Sequence, residues 1–139
     1  MITWATDFET GSAKLDRQHR LLIDNINLLK DLLDNPDLSK QEEEFSLFLV
    51  SYLEAYADLH FKEEERCMEA YRCPVYALDQ QEHELFRGVV RDYKRRREAE
   101  GFNVELLRSL HQFMRKWILE HILKIDTQLK SSIQMHHEI

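Results

Sequence analysis

Turn-forming residues are scarce in this chain, whose 139 residues include three glycines and two prolines. By contrast, 32% of the residues are charged and 43% are hydrophobic, which supplies much helix-forming material. A chain with so little turn chemistry is predicted to be all-α. At this length it has the usual size of one domain, so we expect one hydrophobic core.

Long apolar runs and a basic surface are also missing. No apolar run approaches the ~20 residues that a membrane span requires, and the opening stretch, MITWATDFE, lacks the apolar centre of a secretory signal. We therefore expect a cytoplasmic protein that does not insert into a membrane. The formal net charge of −7 disfavours nucleic acid as a partner, because phosphate binding needs a basic face.

Several sequence patterns of metal and redox sites are absent as well. Cys67 and Cys73 are six positions apart, which matches no zinc or redox motif, and in a cytoplasmic protein we expect both to be thiols. The chain contains no Glu-x-x-His, the motif of ferritin-like di-iron proteins, and no His-Glu-x-x-His, the motif of zinc hydrolases. Neither of these classes is therefore favoured.

Three groups of helix breakers divide the chain into four long segments. The breakers lie at residues 35–37, 72–74 and 101–103. Helix start signals agree with this division: Ser12, the pair Ser39 and Glu42, and Asn103 have the form of N-caps. After an N-terminal arm, helices are predicted near residues 13–34, 39–71, 75–99 and 103–130.

Each predicted helix carries an apolar stripe at 3-4 spacing, the pattern of an antiparallel up-down-up-down four-helix bundle. We expect residues 1–130 to form the domain and residues 131–139 to form a C-terminal tail. The predicted inward face of the second helix consists of Phe45, Leu49, Tyr52, Tyr56, His60, Glu64 or Glu63, Cys67 and Tyr71. Every stripe contains a histidine; these are His19, His60, His83 and His121.

Carboxylates accompany three of these histidines. Glu64 follows His60 by four residues and Asp79 precedes His83 by four, so each pair shares one helix face. Asp126 follows His121 by five residues, which points it partly away in a regular helix, although a local π-type turn would bring it round.

Acids on an apolar stripe are costly unless they are paired or bind metal. Four imidazoles and up to three carboxylates suit divalent metals, above all iron, and are more ligands than one ion coordinates. The simplest interpretation is a pair of metal ions bridged by carboxylates. The alternative is a helical interaction module without metal, in which the acids are exposed or salt-bridged and the histidines are core donors.

The chain resembles a bacterial hemerythrin domain in the stretches LDRQH, HFKEEE, YRCPVYALDQQEH and WILEHILKID. The resemblance implies a four-helix bundle that binds O2 at two iron ions, oxo- or hydroxo-bridged when ferric. It also implies metal ligands at seven positions, of which six match in this chain, namely His19, His60, Glu64, His83, His121 and Asp126, while Asp79 occupies the seventh. By the family's assignment, His19 and His60 hold the iron that takes O2, while Glu64 and Asp126 bridge the two.

Asp79 departs from the family pattern, because it stands where the family has a histidine. Either its carboxylate replaces the imidazole as a ligand, which we favour, or it points elsewhere and leaves a position open to water. A carboxylate ligand adds negative charge, which stabilises Fe(III) over Fe(II), and an open position lets water or superoxide exchange more freely, so both alternatives disfavour reversible O2 carriage.

The resemblance and Asp79 together predict an O2 or redox sensor whose diferrous form oxidises readily. Such a domain is not itself an enzyme, and we expect it to be fused to a signalling module such as a diguanylate cyclase or a chemoreceptor. A stand-alone O2 carrier or iron-storage protein is the alternative. The remaining histidines, His111, His136 and His137, are not expected to bind metal.

Overall fold

The computed structural model describes residues 2–137, except for the side chains of residues 125–127, 136 and 137. Apart from the N-terminal arm and short connections, the described residues are helical, and they contain no strand. A 3-10 turn, Thr6–Phe8, precedes five α-helices. These are α1 (Ala13–Leu33), α2 (Lys40–Ala70), α3 (Tyr76–Glu100), α4 (Val104–His121), and, after a π-helical segment (Ile122–Asp126), α5 (Thr127–His137).

The four long helices form a bundle in which α1 packs on α2 and α4, α2 on α3, and α3 on α4. Their connections are short, so consecutive helices run antiparallel. The predicted all-α four-helix bundle is confirmed. No described helix is both long enough and apolar enough to cross a membrane.

Capping side chains begin three of the helices where the sequence predicts. Ser12 accepts a hydrogen bond from the backbone N–H of Leu15, and Asn103 accepts from the N–H groups at the start of α4. Ser39 and Glu42 form a reciprocal capping box at the start of α2, at 3.1 Å in both directions. The bounds of the first three predicted helices agree with the structure to within one residue at each end.

The fourth predicted helix differs from the structure. A π-helical turn interrupts it directly after His121, as the spacing to Asp126 suggests, and the chain then continues as α5 to His137. Leu129 and Ile133 on α5 are buried against Leu15 and Met68 near the start of α1 and the end of α2. α5 continues across residue 130, where the sequence predicts the end of the domain and the start of a C-terminal tail. That boundary stays a prediction.

The prediction of which face of α2 turns inward was partly wrong. Phe45 and Tyr52 are 41% and 40% exposed, whereas Leu53 and Ala57, each on the adjacent face, are buried. Aromatic and aliphatic residues occupy more than one face of α2, so periodicity alone does not select the face that meets α1 and α3. The described stripe residues of α1, α3 and α4 are buried as predicted, whereas the side chain of Ile125, the last residue in the predicted stripe of the fourth helix, lies outside the described residues.

Candidate metal centre

Six of the seven predicted ligands converge in the bundle interior, near the ends of α2 and α4 and the starts of α1 and α3. None of them is more than 3% exposed. They are His19 on α1, His60 and Glu64 on α2, Asp79 and His83 on α3, and His121 on α4. Alternation of helix direction thus brings residues that are far apart in sequence to one level of the bundle.

Glu64 lies at the middle of this cluster. Its Oε2 atom is 3.2 Å from the Nε2 atoms of both His19 and His60. Its Oε1 atom is 3.0 Å from Nε2 of His83 and 3.3 Å from Nε2 of His121. One carboxylate therefore joins two pairs of imidazoles, each pair on a different oxygen.

Asp79 points into the same space. Its Oδ1 atom is 2.8 Å from Nε2 of His121 and 3.1 Å from Nε2 of His83, and its side chain is fully buried. Within the described part of the chain, neither carboxylate oxygen of Asp79 accepts a hydrogen bond of regular geometry. Its position against the imidazoles of His83 and His121 favours a role as a metal ligand, which stays a prediction.

The donor atoms form two groups that share Glu64. One group comprises Glu64, Asp79, His83 and His121, and the other comprises His19, His60 and Glu64. Within each group, one ligand atom from every residue lies within 4.8 Å of the others. Imidazole and carboxylate donors in this number suit two divalent transition-metal ions, so the side chains present fit a two-metal site.

Protons compensate the buried acids when no cation is bound. Burial alone would raise the pKa of Glu64, but hydrogen bonds with the four surrounding imidazoles hold it well below its usual range. Burial raises the pKa of Asp79 to about 6 against the opposing contacts with His121 and His83. Burial disfavours the charged ring of His83, yet contacts with Asp79 and Glu64 raise its pKa to about 9. Cations would replace these protons.

Two polar residues that the sequence analysis missed contact the outer nitrogens of the ligand rings. Gln18 Oε1 is 2.7 Å from Nδ1 of His60, and Glu65 Oε2 is 2.8 Å from Nδ1 of His83. Such bonds fix the orientation of a metal-binding imidazole. Each of these contacts joins two helices, so no spacing within one helix signalled either residue.

Aromatic rings cover the cluster. Phe61 stacks on His83 with ring centroids 4.0 Å apart, and Trp117 stacks on His121 at 4.3 Å. Phe61 also contacts the edge of Phe86 at 5.4 Å. These rings surround the α3 and α4 ligands with apolar surface, which restricts water near them.

The remaining candidates lie elsewhere. Glu63 faces outward and accepts a hydrogen bond from Lys14, which leaves Glu64 as the inward acid. His111 is buried on α4 but belongs to neither donor group. Cys67 and Cys73 are free thiols, as predicted.

Three predictions fall on side chains outside the described residues, namely those for Asp126, His136 and His137. The backbone of Asp126 ends the π-helical segment that the sequence suggested.

Comparison with known proteins is consistent with this geometry. The family model for the hemerythrin HHE cation binding domain matches residues 10–133. A bacteriohemerythrin of Clostridium acetobutylicum is 28% identical over 128 residues, which cover 92% of this chain and 98% of the relative. A bacteriohemerythrin of Methylococcus capsulatus is 28% identical over 127 residues, covering 91% and 92% of the two chains. A third, from Stenotrophomonas maltophilia, is 24% identical over 136 residues, covering 98% and 84%.

The family match spans most of the chain and includes the six described ligand candidates. Hemerythrin domains hold a non-haem di-iron centre that binds O2, and the two donor groups joined by Glu64 fit such a centre. The chain belongs to the hemerythrin HHE cation-binding family.

Proposed function

We propose that this domain is an O2 or redox sensor whose reduced di-iron centre oxidises readily. The observation that carries the proposal is the buried carboxylate of Asp79, whose Oδ1 lies 2.8 Å from Nε2 of His121 inside one donor group. Two iron ions bound there would supply one-electron redox chemistry with O2. The role is one of sensing, with any enzymatic output in another module.

The proposed ligands divide between two metal positions. His19 and His60 serve the first position, and Asp79, His83 and His121 serve the second. Glu64 is common to both, because each of its oxygens faces a different pair of imidazoles. Asp126 is assigned as the other shared ligand from the family pattern and from its place at the end of the π-helical segment.

Asp79 makes the second position more anionic than an imidazole would. In an interior of low dielectric, a nearby negative charge favours the more highly charged state of a cation. The aromatic cover of Phe61 and Trp117 strengthens this effect, since it keeps screening water away from the carboxylate. The chain therefore biases the centre toward its oxidised state.

The test is stopped-flow mixing of the reduced, iron-loaded protein with O2. We expect the O2-induced spectrum to decay rapidly to that of the oxidised protein. Asp79→His should lengthen its lifetime at least about tenfold, which corresponds to ~1.4 kcal/mol of barrier. Asp79→Asn serves as the control for charge, because it has nearly the same shape. A wild-type O2 spectrum that persists for hours would contradict the sensor proposal.

A stand-alone O2 carrier or iron-storage protein is the second candidate. The alignments extend over 98% and 92% of the bacteriohemerythrins of C. acetobutylicum and M. capsulatus, so those relatives have no room for a large additional domain. Repeated cycles of oxygenation and deoxygenation distinguish the candidates. A carrier returns to the reduced, deoxygenated state in each cycle, whereas the sensor accumulates in the oxidised state.

Signal output would require a coupled module, for which we propose a diguanylate cyclase or chemoreceptor domain joined to this one. Support comes from α5, which directly follows the π-helical segment and packs through Leu129 and Ile133 against Leu15. A shift at His121 would thus be passed to α5 through the π-helical segment that joins them. Measuring output activity of such a fusion in reduced and oxidised states tests the coupling.

A further inference from the structure

One histidine of each metal position, His60 in the first and His83 in the second, contacts a polar group behind its ring, and these two groups differ in charge. His60 and His83 each turn Nε2 toward Glu64 and Nδ1 toward an acceptor. Behind His60 the acceptor is the neutral amide oxygen of Gln18, at 2.7 Å, and behind His83 it is the carboxylate of Glu65, at 2.8 Å. The two hydrogen bonds have similar lengths, but their acceptors differ by one unit of charge.

Glu65 is held in place by its own neighbours. Gln80 Nε2 donates a hydrogen bond to its Oε1 at 3.2 Å, and Arg87 Nη2 lies 3.9 Å from its Oε2. Arg87 is directed mainly at Asp58, to which its Nε donates at 2.9 Å, so it neutralises Glu65 only in part. The carboxylate is therefore fixed on the ring of His83 rather than free to swing into solvent.

A carboxylate that accepts a hydrogen bond from the Nδ1–H group of a ligand histidine increases the electron density on the opposite nitrogen. That nitrogen, Nε2 of His83, faces Glu64 and Asp79 in the second metal position. The charge of Glu65 thus adds to that of Asp79 on the same side of the centre. Behind the first position, Gln18 supplies the hydrogen bond without the charge.

We propose that Glu65 is a positioning residue that lowers the reduction potential of the metal position served by Asp79, His83 and His121. This inference rests on the proposed function. Oxidation of the reduced centre then begins at this position, which gives up one electron to a one-electron acceptor such as ferricyanide. The position held by His19 and His60 gives up its electron second.

The experiment is a mediated potentiometric titration of the iron-loaded full chain, with the half-oxidised fraction followed by electron paramagnetic resonance. Glu65→Gln keeps an acceptor oxygen and removes the charge. We expect it to raise the first potential, and a tenfold loss of preference for the ferric state would raise it by ~59 mV. Glu65→Asp, which restores the charge, should return the potential toward that of the wild type.

Gln18→Glu is the matched variant, because it adds the same charge behind His60. It should lower the second potential, narrow the gap between the two steps and reduce the half-oxidised fraction. It also carries the test if Glu65→Gln takes up too little iron for titration. Release of iron to a chelator gives an independent readout, and Glu65→Gln should accelerate it by about 10–100-fold.

The outcomes separate this inference from the proposed function. Wild-type protein that binds no iron would overturn the proposed function. Wild-type protein that binds iron and reacts with O2, while Glu65→Gln and Gln18→Glu leave both potentials unchanged, would overturn the role of Glu65 alone. A rise in potential that Glu65→Asp does not reverse would show that shape, and not charge, is responsible, and it would also overturn the inference.

Discussion

Glu64 is the residue whose replacement tests the candidate centre most directly. It is fully buried, and its two oxygens together face four imidazoles, one from each helix of the bundle. Glu64→Gln retains the size and one acceptor oxygen of the side chain but removes its charge. We expect the variant to bind fewer than about one iron per chain, because both donor groups lose their shared anionic ligand.

The metal-free variant should also be less stable. Removing one member of a buried charge network costs about 3–5 kcal/mol, and the amide retains an acceptor, so the lower end, ~3 kcal/mol, applies. For a domain of this size, 1 kcal/mol shifts the midpoint of thermal unfolding by about 4 °C. The expected decrease in Tm of the metal-free protein is therefore about 12 °C.

The adjacent Glu63 provides a matched control. Its partner Lys14 is 61% exposed, and an ion pair at the surface contributes about 0–1 kcal/mol. Glu63→Gln should therefore lower Tm by less than about 4 °C and leave the iron content unchanged. The assays are iron analysis after iron-replete expression and circular dichroism melting of the metal-free proteins. If Glu64→Gln matched Glu63→Gln in both, Glu64 would not be the shared ligand.

Three further predictions concern the helices that carry the site. Leu53→Ala should lower the free energy of unfolding by about 2–5 kcal/mol in urea titrations, because Leu53 is buried. Tyr52→Ala, on the exposed face of α2, should change that free energy by less than about 1 kcal/mol. Equal losses in the two variants would contradict the observed orientation of α2. Asn103→Ala should cost about 1 kcal/mol by removing the N-cap of α4, with iron content unchanged, and an unaltered urea midpoint would show that this cap is not stabilising. Hydrogen bonds from Ser39 lower the pKa of Glu42 below its ordinary 4.5, so its stabilising effect is present above that pH and is lost as the pH falls further. The difference in urea stability between wild type and Glu42→Gln should therefore shrink below pH 4.5, and a difference independent of pH would contradict this reasoning.

The amino-acid sequence by itself determined the helices and most of the candidate ligands. Three groups of breakers, together with capping signals at the starts of α1 and α2, placed the first three helices to within one residue at each end. Spacing of four residues put Glu64 beside His60 and Asp79 beside His83, since residues one turn apart share a helix face. Spacing of five residues between His121 and Asp126 raised a π-type turn as the way to bring Asp126 round, and the structure has a π-helical segment there.

The tertiary structure decided which faces of the helices turn inward and what lies behind the ligands. Periodicity on α2 was ambiguous between two faces, and only packing against α1 and α3 buried Leu53 and exposed Tyr52. The direction of the Asp79 carboxylate likewise depends on rings from α3 and α4. The bond between Glu65 and His83 joins two helices, and no spacing within one helix encodes such a contact, because it arises only when the helices assemble.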